Sequence, residues 1–567
     1  MMRRLYACAV LAALVLVSPA AADMYPDAAN AKHPAARRNL AIPDADRTLW
    51  SSYGIVADGT TDNTAALNAL PQNIPLLADC KGSGDIRYNG VWLLKSNLNI
   101  KWQDGCRLMS YIRGAVDGSI PGGYAGTFAI SQADLTVPLD NVRLEGMRIA
   151  KDAMIPNQRI LQAWINNFRL LTWTFQSHGG AMFLRGSCQE VAFGRSIDAS
   201  TIVGSPGVRH IGNMPKAAAG CRHQPADVWI HNNNIVSGDA VYQACQPTTG
   251  APWNNVSTDD ILYENNDGLS GASAYALIGA QWTGVPEDRN YTCKNITYTN
   301  NTGRGTSNGI LISASGTGSL GSPITISNVR YYNQMLSAED DSNNTGTVHM
   351  RAKDGGIIDG VTFRALQLIE THSAAFVANA ACTPVPVGEP PVPSCTSDGA
   401  IKNVLFQGGL LDSPQATSSG GVWSPNINVY SAENITFQSN TIRGAHAGGL
   451  FTVLVGQDNN AGNPRTVSKL RMLGNFFENL PATSTAIELR NVAGADIAGN
   501  VFRPSSGATA VEGIKMTVTG VNGPGTTDTT ITSNTLNGLA TPLLFQCNGG
   551  TTSIAAYNVG DAGHTCP

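Results

Sequence analysis

The sequence has little charge and no long apolar run in its interior. Only 14% of its 567 residues are Asp, Glu, Lys or Arg, and the formal net charge is −4. Such a weak negative charge does not favour nucleic-acid binding, which requires a basic surface. The apolar stretch over residues 5–17 is shorter than the roughly 20 residues of a membrane-spanning helix, and no later segment is long and apolar enough to span. We therefore expect no nucleic-acid partner and no membrane span.

The first 22 residues have the pattern of a secretory signal peptide. Arg3 and Arg4 precede the apolar stretch, and three consecutive alanines that end at residue 22 form a small-residue cleavage site. We expect residues 1–22 to be removed and residues 23–49 to form an N-terminal extension. The mature protein is then predicted to be secreted or periplasmic.

Cysteine pairs with metal-binding spacing are absent, since no C-x-x-C occurs in the sequence. The chain has 11 cysteines, one of them in the predicted signal peptide. An even remainder in an exported protein favours disulfides over a metal site, so we expect neither a metal nor a cofactor. Pairing of sequence neighbours is a hypothesis, and it gives Cys80–Cys106, Cys188–Cys221, Cys245–Cys293, Cys382–Cys395 and Cys547–Cys566.

Long amphipathic helix patterns are also missing, whereas glycine, asparagine, serine and threonine are abundant. This composition is typical of an all-β protein with many turns. Short apolar-patterned runs joined by Asn or Gly turns recur through most of the chain, as in "DVWIHNNNIVSGDAVYQACQ" from Asp227, "KNITYTNNTGRGTSNGILISAS" from Lys294 and "ENITFQSNTIRGAHAGGLFTVLVG" from Glu433. A recurrence of roughly 25 to 35 residues indicates a stacked repeat architecture.

Each repeat contains short strands with alternating apolar positions and no helix between them. We therefore predict an all-β right-handed parallel β-helix, a single solenoid over residues 50–546. A small cap precedes it, and a disulfide-stapled cap over residues 547–567 follows it. Asparagines at equivalent turns are expected to form an amide ladder along the axis. They are Asn234, Asn266, Asn301, Asn440, Asn475, Asn500 and Asn534. A β-sandwich with asparagine-rich turns is the alternative.

The stretch "YGIVADGTTDNTAAL" from Tyr53 resembles the opening segment of the pectate-lyase-like superfamily. It matches that superfamily's aromatic–Gly–x–x–x–Asp–Gly–x–x–Asp–Asn/Asp–Thr–x–Ala pattern. The resemblance implies a parallel β-helix and a cap over its first coil. It leaves the activity open, because this fold carries enzymes and binders alike. Asp58 and Asp62 are interpreted as structural, with Asp62 to Thr64 forming a helix N-cap region.

The middle repeats resemble polygalacturonase-type glycoside hydrolases. "NIVSGDAVYQ" is similar to that family's Gly-Asp-Asp segment, and "NNTGRGTSNGILISAS" is similar to its Asn-Gly-Ile-Arg-Ile-Lys segment. Asp239 matches the first aspartate, but Ala240 stands at the second. Leu311 and Ser313 stand where the family has Arg and Lys. The resemblance therefore implies the scaffold and little of the family's catalytic set.

Glycoside hydrolysis needs two carboxyl groups, about 5 Å apart for retention of configuration and about 6.5–9.5 Å apart for inversion. We predict Asp239 as one catalytic acid and either Asp340 or Asp341 as its partner. His210 is a candidate general acid or base, because an imidazole titrates near neutral pH. A structural histidine bonded to a backbone carbonyl is the alternative for His210.

Basic and aromatic residues gather on one family of strands when the repeats are aligned. "VHMRAKD" alternates, which predicts one outward face for His349, Arg351 and Lys353. Cations there favour an anionic sugar such as a uronate, and tyrosine rings offer stacking surfaces. The predicted substrate-binding residues are Arg185, Arg209, Tyr242, Tyr275, Arg304, His349, Arg351 and Lys353. An ordinary solvated face is the alternative.

Three functions remain open from the sequence. The leading hypothesis is a secreted glycoside hydrolase that cleaves a polysaccharide. The second is a polysaccharide lyase acting by β-elimination on a uronic-acid polymer, with Arg209, Arg304, Lys353 or His210 taking part. The third is a non-catalytic glycan-binding envelope protein, since most of the polygalacturonase catalytic set is missing. The oligomeric state stays unknown.

Overall fold

The computed structural model describes a large part of the chain. The described residues are 42–80, 84–111, 128–134, 137, 139–151, 159–166, 169–171, 174–176, 182–185, 200–204, 208–210, 228–231, 233–237, 242–244, 258–270, 274–279, 291–305, 308–315, 324–338, 347–369, 374–380, 399–412, 426–443, 451–456, 466–516, 525–545, 553–556, 558 and 564–566.

The chain coils through three positions in a repeating order, and each position builds its own stack of parallel strands. The first position is occupied by a five-stranded sheet (sheet 1N) and then by a 12-stranded sheet (sheet 1C). The second and third positions form sheet 2, with 14 strands, and sheet 3, with 16. This arrangement is a parallel β-helix, so the fold predicted from the sequence is confirmed.

The strands of the first position stack in chain order. Sheet 1N contains Thr48–Leu49, Pro75–Ala78, Asn99–Trp102, Arg143–Glu145 and Arg169–Leu171. Sheet 1C contains Val228–His231, Thr258–Glu264, Tyr291–Thr299, Ile324–Tyr332, Ile357–Arg364, Ala400–Gln407, Ala432–Gln438, Val467–Leu473, Val492–Ala498, Thr527–Thr532, Ser553–Ala556 and His564–Cys566. The last of these strands pairs antiparallel to Ser553–Ala556, so a hairpin closes this sheet.

Sheets 2 and 3 follow the same order. Sheet 2 contains Asp85–Tyr88, Arg107–Ser110, Arg148–Lys151, Thr174–Gln176, Ser200–Gly204, Asn233–Ser237, Asp267–Ser270, Thr302–Gly305, Met335–Ala338, Gln367–Leu368, Leu410–Leu411, Thr441–Arg443, Phe476–Leu480 and Val501–Pro504. Sheet 3 contains Trp92–Leu94, Phe128–Gln132, Leu139–Asp140, Arg159–Asn166, Met182–Arg185, Val208–His210, Tyr242–Ala244, Ala274–Gly279, Asn308–Ser315, Val348–Lys353, Phe376–Asn379, Ile427–Val429, Phe451–Val455, Thr485–Leu489, Glu512–Met516 and Thr541–Phe545.

The N-terminal cap holds the helical turns, which are the 3-10 helices Asp44–Asp46 and Trp50–Tyr53 and the α-helix Thr64–Ala69. Asp58 accepts hydrogen bonds from the backbone N–H and the hydroxyl of Thr61 at 2.7 and 2.6 Å. These bonds hold the pKa of Asp58 well below its usual range. Asp62 accepts from the backbone N–H of Thr64 at 3.0 Å. Both carboxylates are used inside the turn, as their structural interpretation predicts.

Asn63 ties this turn to the first coil. Its side chain is buried, and its amide donates to the carbonyls of Val56 and Arg87 at 2.9 and 3.0 Å. The helix that follows buries Leu67 in the continuous hydrophobic core. The cap therefore covers apolar surface that the first coil would otherwise expose to water.

A column of stacked aromatic rings runs inside the solenoid beneath sheet 1C. Consecutive ring centroids are 4.4, 4.7, 5.1, 4.3 and 5.1 Å apart. The rings belong to Tyr263, Tyr298, Tyr331, Phe363, Phe406 and Phe437. The stack forms because parallel in-register pairing places the same inward position of each coil directly above the last.

The predicted amide ladder is present, with one error in register. Asn266 donates to Asn301 at 3.0 Å. A second run continues through the C-terminal coils, formed by Asn440, Asn475, Asn500, Asn534 and Asn558. The prediction is wrong for Asn234, which is paired with Asp267. Its neighbour Asn233 therefore occupies the ladder column, because a shift of one residue in a strand changes the face.

One predicted disulfide is confirmed, between Cys80 and Cys106. Cys293 is also disulfide-bonded. The remaining predicted pairs rest on cysteines outside the described residues, apart from Cys293 and Cys566, whose predicted partners Cys245 and Cys547 lie outside them. Within the described ranges, no helix has both the length and the apolar character needed to cross a membrane.

Candidate functional site

Sheet 3 collects most of the residues predicted to act on a substrate. The residues that the repeat alignment placed on one sheet do share it, and they are Arg185, Arg209, Tyr242, Tyr275, His349, Arg351 and Lys353. His210 lies on the same sheet. Arg304 is different, because it lies exposed on sheet 2 in the strand Thr302–Gly305. Asp239, Asp340 and Asp341 lie outside the described residues.

The strand register separates these positions into two faces. Tyr242 is paired with Ala276, and Ala276 belongs to the hydrophobic core. Arg209 is paired with Gln243, Gln243 with Leu277, and Leu277 with Leu311. These residues form the column next to the one that contains Ala276. The register therefore places Arg209 and Tyr242 in different columns of the sheet.

The strand Val348–Lys353 alternates as its sequence predicts. Val348, Met350 and Ala352 lie in the core, so the positions between them point outward. His349, however, is only 2% exposed. Burial, and secondarily the charge of Arg351, lower the pKa of His349 to about 3. His349 is therefore neutral at ordinary pH and is not one of the cations predicted for this face.

Arg351 and Lys353 form the cationic part of the outward face. Arg351 Nε donates to Ser313 Oγ at 3.0 Å, which fixes the guanidinium against the neighbouring strand. Both side chains are partly exposed. The pKa of Lys353 is lowered, first by burial and then by the charge of Arg351, against a smaller opposing effect of Asp354. No described carboxylate lies within 4.0 Å of the Lys353 ammonium.

A second charged group lies on the C-terminal strands of the same face. Arg490 Nε donates to Glu488 Oε1 at 2.8 Å, and Glu488 is buried. Lys515 Nζ lies 3.9 Å from Glu488 Oε2 and 3.7 Å from Glu512 Oε2. The two carboxylates thus approach one ammonium. Oε2 of Glu488 and Oε2 of Glu512 therefore lie closer together than about 9.5 Å, the upper limit for the carboxyl pair of an inverting glycosidase.

This C-terminal group is balanced in charge, because Arg490 and Lys515 neutralise Glu488 and Glu512. Such ion pairs link neighbouring strands of the last coils. Because their charges cancel, they contribute little to the electrostatic potential of this face. Neither glutamate was predicted from the sequence, because both lie outside the polygalacturonase-like segments. The signal was available in "TAIELRN", where alternation predicts Glu488 and Arg490 on one outward face.

The described residues contain no group of three or more His, Cys, Asp or Glu side chains able to hold a metal ion.

No protein-family model and no curated protein matches the chain. Solved structures match it at low identity. The A-module of the Azotobacter vinelandii mannuronan C-5 epimerase AlgE6 is 11% identical, with a TM-score of 0.38, over 90% of this chain and 98% of that one. The tailspike protein 3 of bacteriophage CBA120 is 9% identical, with a TM-score of 0.37, over 93% and 66%. The family 28 exopolygalacturonase of Yersinia enterocolitica is 12% identical, with a TM-score of 0.35, over 82% and 76%.

Proposed function

We propose that this protein binds an acidic polysaccharide along the outward face of sheet 3 and cleaves it. The observation that carries the proposal is the adjacent pair Arg351 and Lys353. Two like charges on one strand repel each other, and partial burial removes part of their hydration, as the lowered pKa of Lys353 records. A sugar carboxylate placed between them relieves both costs and accepts charge-assisted hydrogen bonds.

β-Elimination is the cleavage reaction that these two side chains support. Arg351 would hold the uronate carboxylate and stabilise the charge that develops beside it. Lys353 would take the C5 proton after giving up its own proton to water, a loss that its lowered pKa assists. The electron pair of the C5–H bond would form the C4–C5 double bond, the C4–oxygen bond would break, and the leaving oxygen would take a proton from water.

Hydrolysis is the second candidate, favoured by the resemblance of the segment around Asp239 to a glycoside hydrolase. In this reaction Asp239 would protonate the leaving oxygen, and a second carboxylate or His210 would activate water. Asp340 and Asp341 stay candidates for that second group. A protein that only binds the glycan is the third candidate.

Product analysis separates the three. The mature protein would be incubated with uronic-acid polymers and neutral polysaccharides, and products would be read by absorbance near 232 nm and by mass. An unsaturated end supports elimination, and we expect Lys353→Gln to abolish it. A gain of one water per cleavage, lost in Asp239→Asn, supports hydrolysis instead. Saturable binding without any cleavage rejects both reactions, and the absence of binding to every acidic polymer rejects the proposal.

A further inference from the structure

The outward face of sheet 3 is shielded from solvent along one axial row of side chains. The row takes one outward position from each of six successive strands, and the strand register aligns these positions. Its members are Leu311, His349, Val377, Asn428, Leu454 and Glu488. None of them is more than 7% exposed, although its apolar members lie outside the continuous core of the solenoid. A polymer that runs parallel to the solenoid axis therefore meets no accessible side chain in this row.

The next row contains Arg351 and is accessible at that residue. Ser313 and Asn379 lie beside Arg351 on the two neighbouring strands, in direct register with it. Their exposed fractions are 1% and 6%, whereas Arg351 is partly exposed. A ligand therefore reaches the guanidinium at one strand and cannot follow this row from Ser313 to Asn379.

Exposure increases in the other direction, along the strand Val348–Lys353. His349 is shielded, Arg351 and Lys353 are partly exposed, and Gly355 just beyond the strand is exposed. A Cβ added at Gly355 would meet no atom within 4 Å, so the space there is open. The accessible path thus begins at Gly355, passes Lys353 and Arg351, and stops at His349. Outward positions two residues apart on a strand are separated by about 6.6 Å, so the path ends a short distance beyond Arg351, comparable with the length of a sugar unit.

We propose that the protein binds the end of an acidic polysaccharide, with its terminal sugar units lying along the strand Val348–Lys353 and not along the solenoid axis. The inference rests on the proposed function, because it takes Arg351 and Lys353 as the groups that hold the sugar carboxylate. An internal stretch of polymer has to leave a binding site at both ends, and the shielded row at His349 closes one of them. A chain end needs only the opening at Gly355. Cleavage at such a site releases one or two sugar units at a time.

Acidic oligosaccharides with one blocked end test the proposal on the mature protein. One set would carry a bulky fluorophore at the reducing end and another set at the non-reducing end, and isothermal titration calorimetry would compare both with unlabelled chains. One of the two labels should weaken binding at least about tenfold, because the labelled end cannot enter the path. Equal affinities for all three sets would show that an internal stretch is bound and would overturn the proposal.

Two variants make this result specific. Arg351→Gln should remove the difference between the labelled sets, because it removes the contact that the entering end makes. Lys402→Gln changes a partly exposed lysine of sheet 1C that lies near Glu433, and it should preserve the difference. An end preference that persists unchanged in Arg351→Gln would place the binding of the chain end elsewhere and overturn the proposal.

Product length separates a failure of this inference from a failure of the proposed function. Early products should be unsaturated and one or two sugar units long, while the viscosity of the polymer falls slowly. A broad range of unsaturated products with a rapid loss of viscosity would overturn end binding and still support elimination. End-dependent binding without unsaturated products would reject elimination and support end binding. The absence of binding to every acidic polymer would reject both.

Discussion

The side-chain amide of Asn475 donates to Oδ1 of Asn500, 25 residues further along the chain, at 3.0 Å. The backbone N–H of Asn475 donates to the same oxygen at 2.8 Å. Asn475 in turn accepts both bonds from Asn440. Each ladder residue thus satisfies buried polar groups of its own turn and of the next coil, so the ladder couples neighbouring coils.

Asn475→Ala should destabilise the protein by about 2–4 kcal/mol, because it leaves the buried N–H of Asn440 and the carbonyl of Phe437 without their partner. Urea unfolding followed by circular dichroism measures the change. Asn333→Gly is the matched control, since Asn333 is exposed with φ of 51° and glycine adopts this backbone freely. A loss at Asn475 no larger than that of the control would contradict the ladder's role.

Phe406→Ala should cost about 3–5 kcal/mol of unfolding free energy. The Phe406 ring stacks on Phe363 at 4.3 Å and on Phe437 at 5.1 Å, and it meets the edge of Phe376 at 4.7 Å. Removing the ring opens a cavity inside the solenoid. The neighbouring coils cannot close this cavity, because their backbone hydrogen bonds fix the distance between strands. Phe406→Leu keeps most of the volume and should cost less than about 2 kcal/mol. Equal losses for the two variants would show that cavity volume is not the cause.

His349 should make the protein less stable as pH falls from about 6.5 toward 4.5. Its folded pKa is about 3, whereas an unfolded histidine titrates near 6.5. In this window the unfolded state binds more protons than the folded state. The contribution of His349 to the free energy of unfolding is therefore fully present above the unfolded pKa and declines as pH falls. His349→Gln should show a flatter melting temperature between pH 7 and 4.5. An unchanged slope would show that His349 is not the titrating group.

Lys353→Gln and Arg351→Gln should each weaken binding to an acidic polymer about tenfold or more, because each removes a charge-assisted contact. Binding of the unaltered protein should weaken as salt rises, and each variant should show a smaller salt dependence. Isothermal titration calorimetry measures both effects. Lys402→Gln, a partly exposed lysine of sheet 1C paired with Glu433, serves as the control. A loss of equal size in Lys402→Gln would show that the effect is general charge and not the site.

The fold was accessible from the sequence because its determinants are local and repeated. The alternation of apolar and polar residues predicts the strands. The recurring asparagines predict turns with the same backbone geometry in successive coils. The same logic placed the candidate substrate residues on one sheet. It erred by one residue at Asn234, because "HNNN" offers three adjacent asparagines and only the register with Asp267 identifies the one in the ladder column.

The site was less accessible, because it is assembled from residues distant in the chain. Arg351 contacts Ser313 across 38 positions, and Lys515 joins Glu488 to Glu512. The connections between coils vary in length, so a sequence alignment does not give the axial distance between two side chains.

The sequence by itself determined that this chain is an all-β solenoid with a capped N-terminus, since alternation and turn chemistry act over a few residues. Only the tertiary structure decided which outward-facing side chains are exposed to solvent. His349, Arg351 and Lys353 alternate identically in sequence, but His349 is buried and neutral while its two neighbours remain cationic. The reason is that burial is a property of everything packed around a side chain, and the pKa follows the burial.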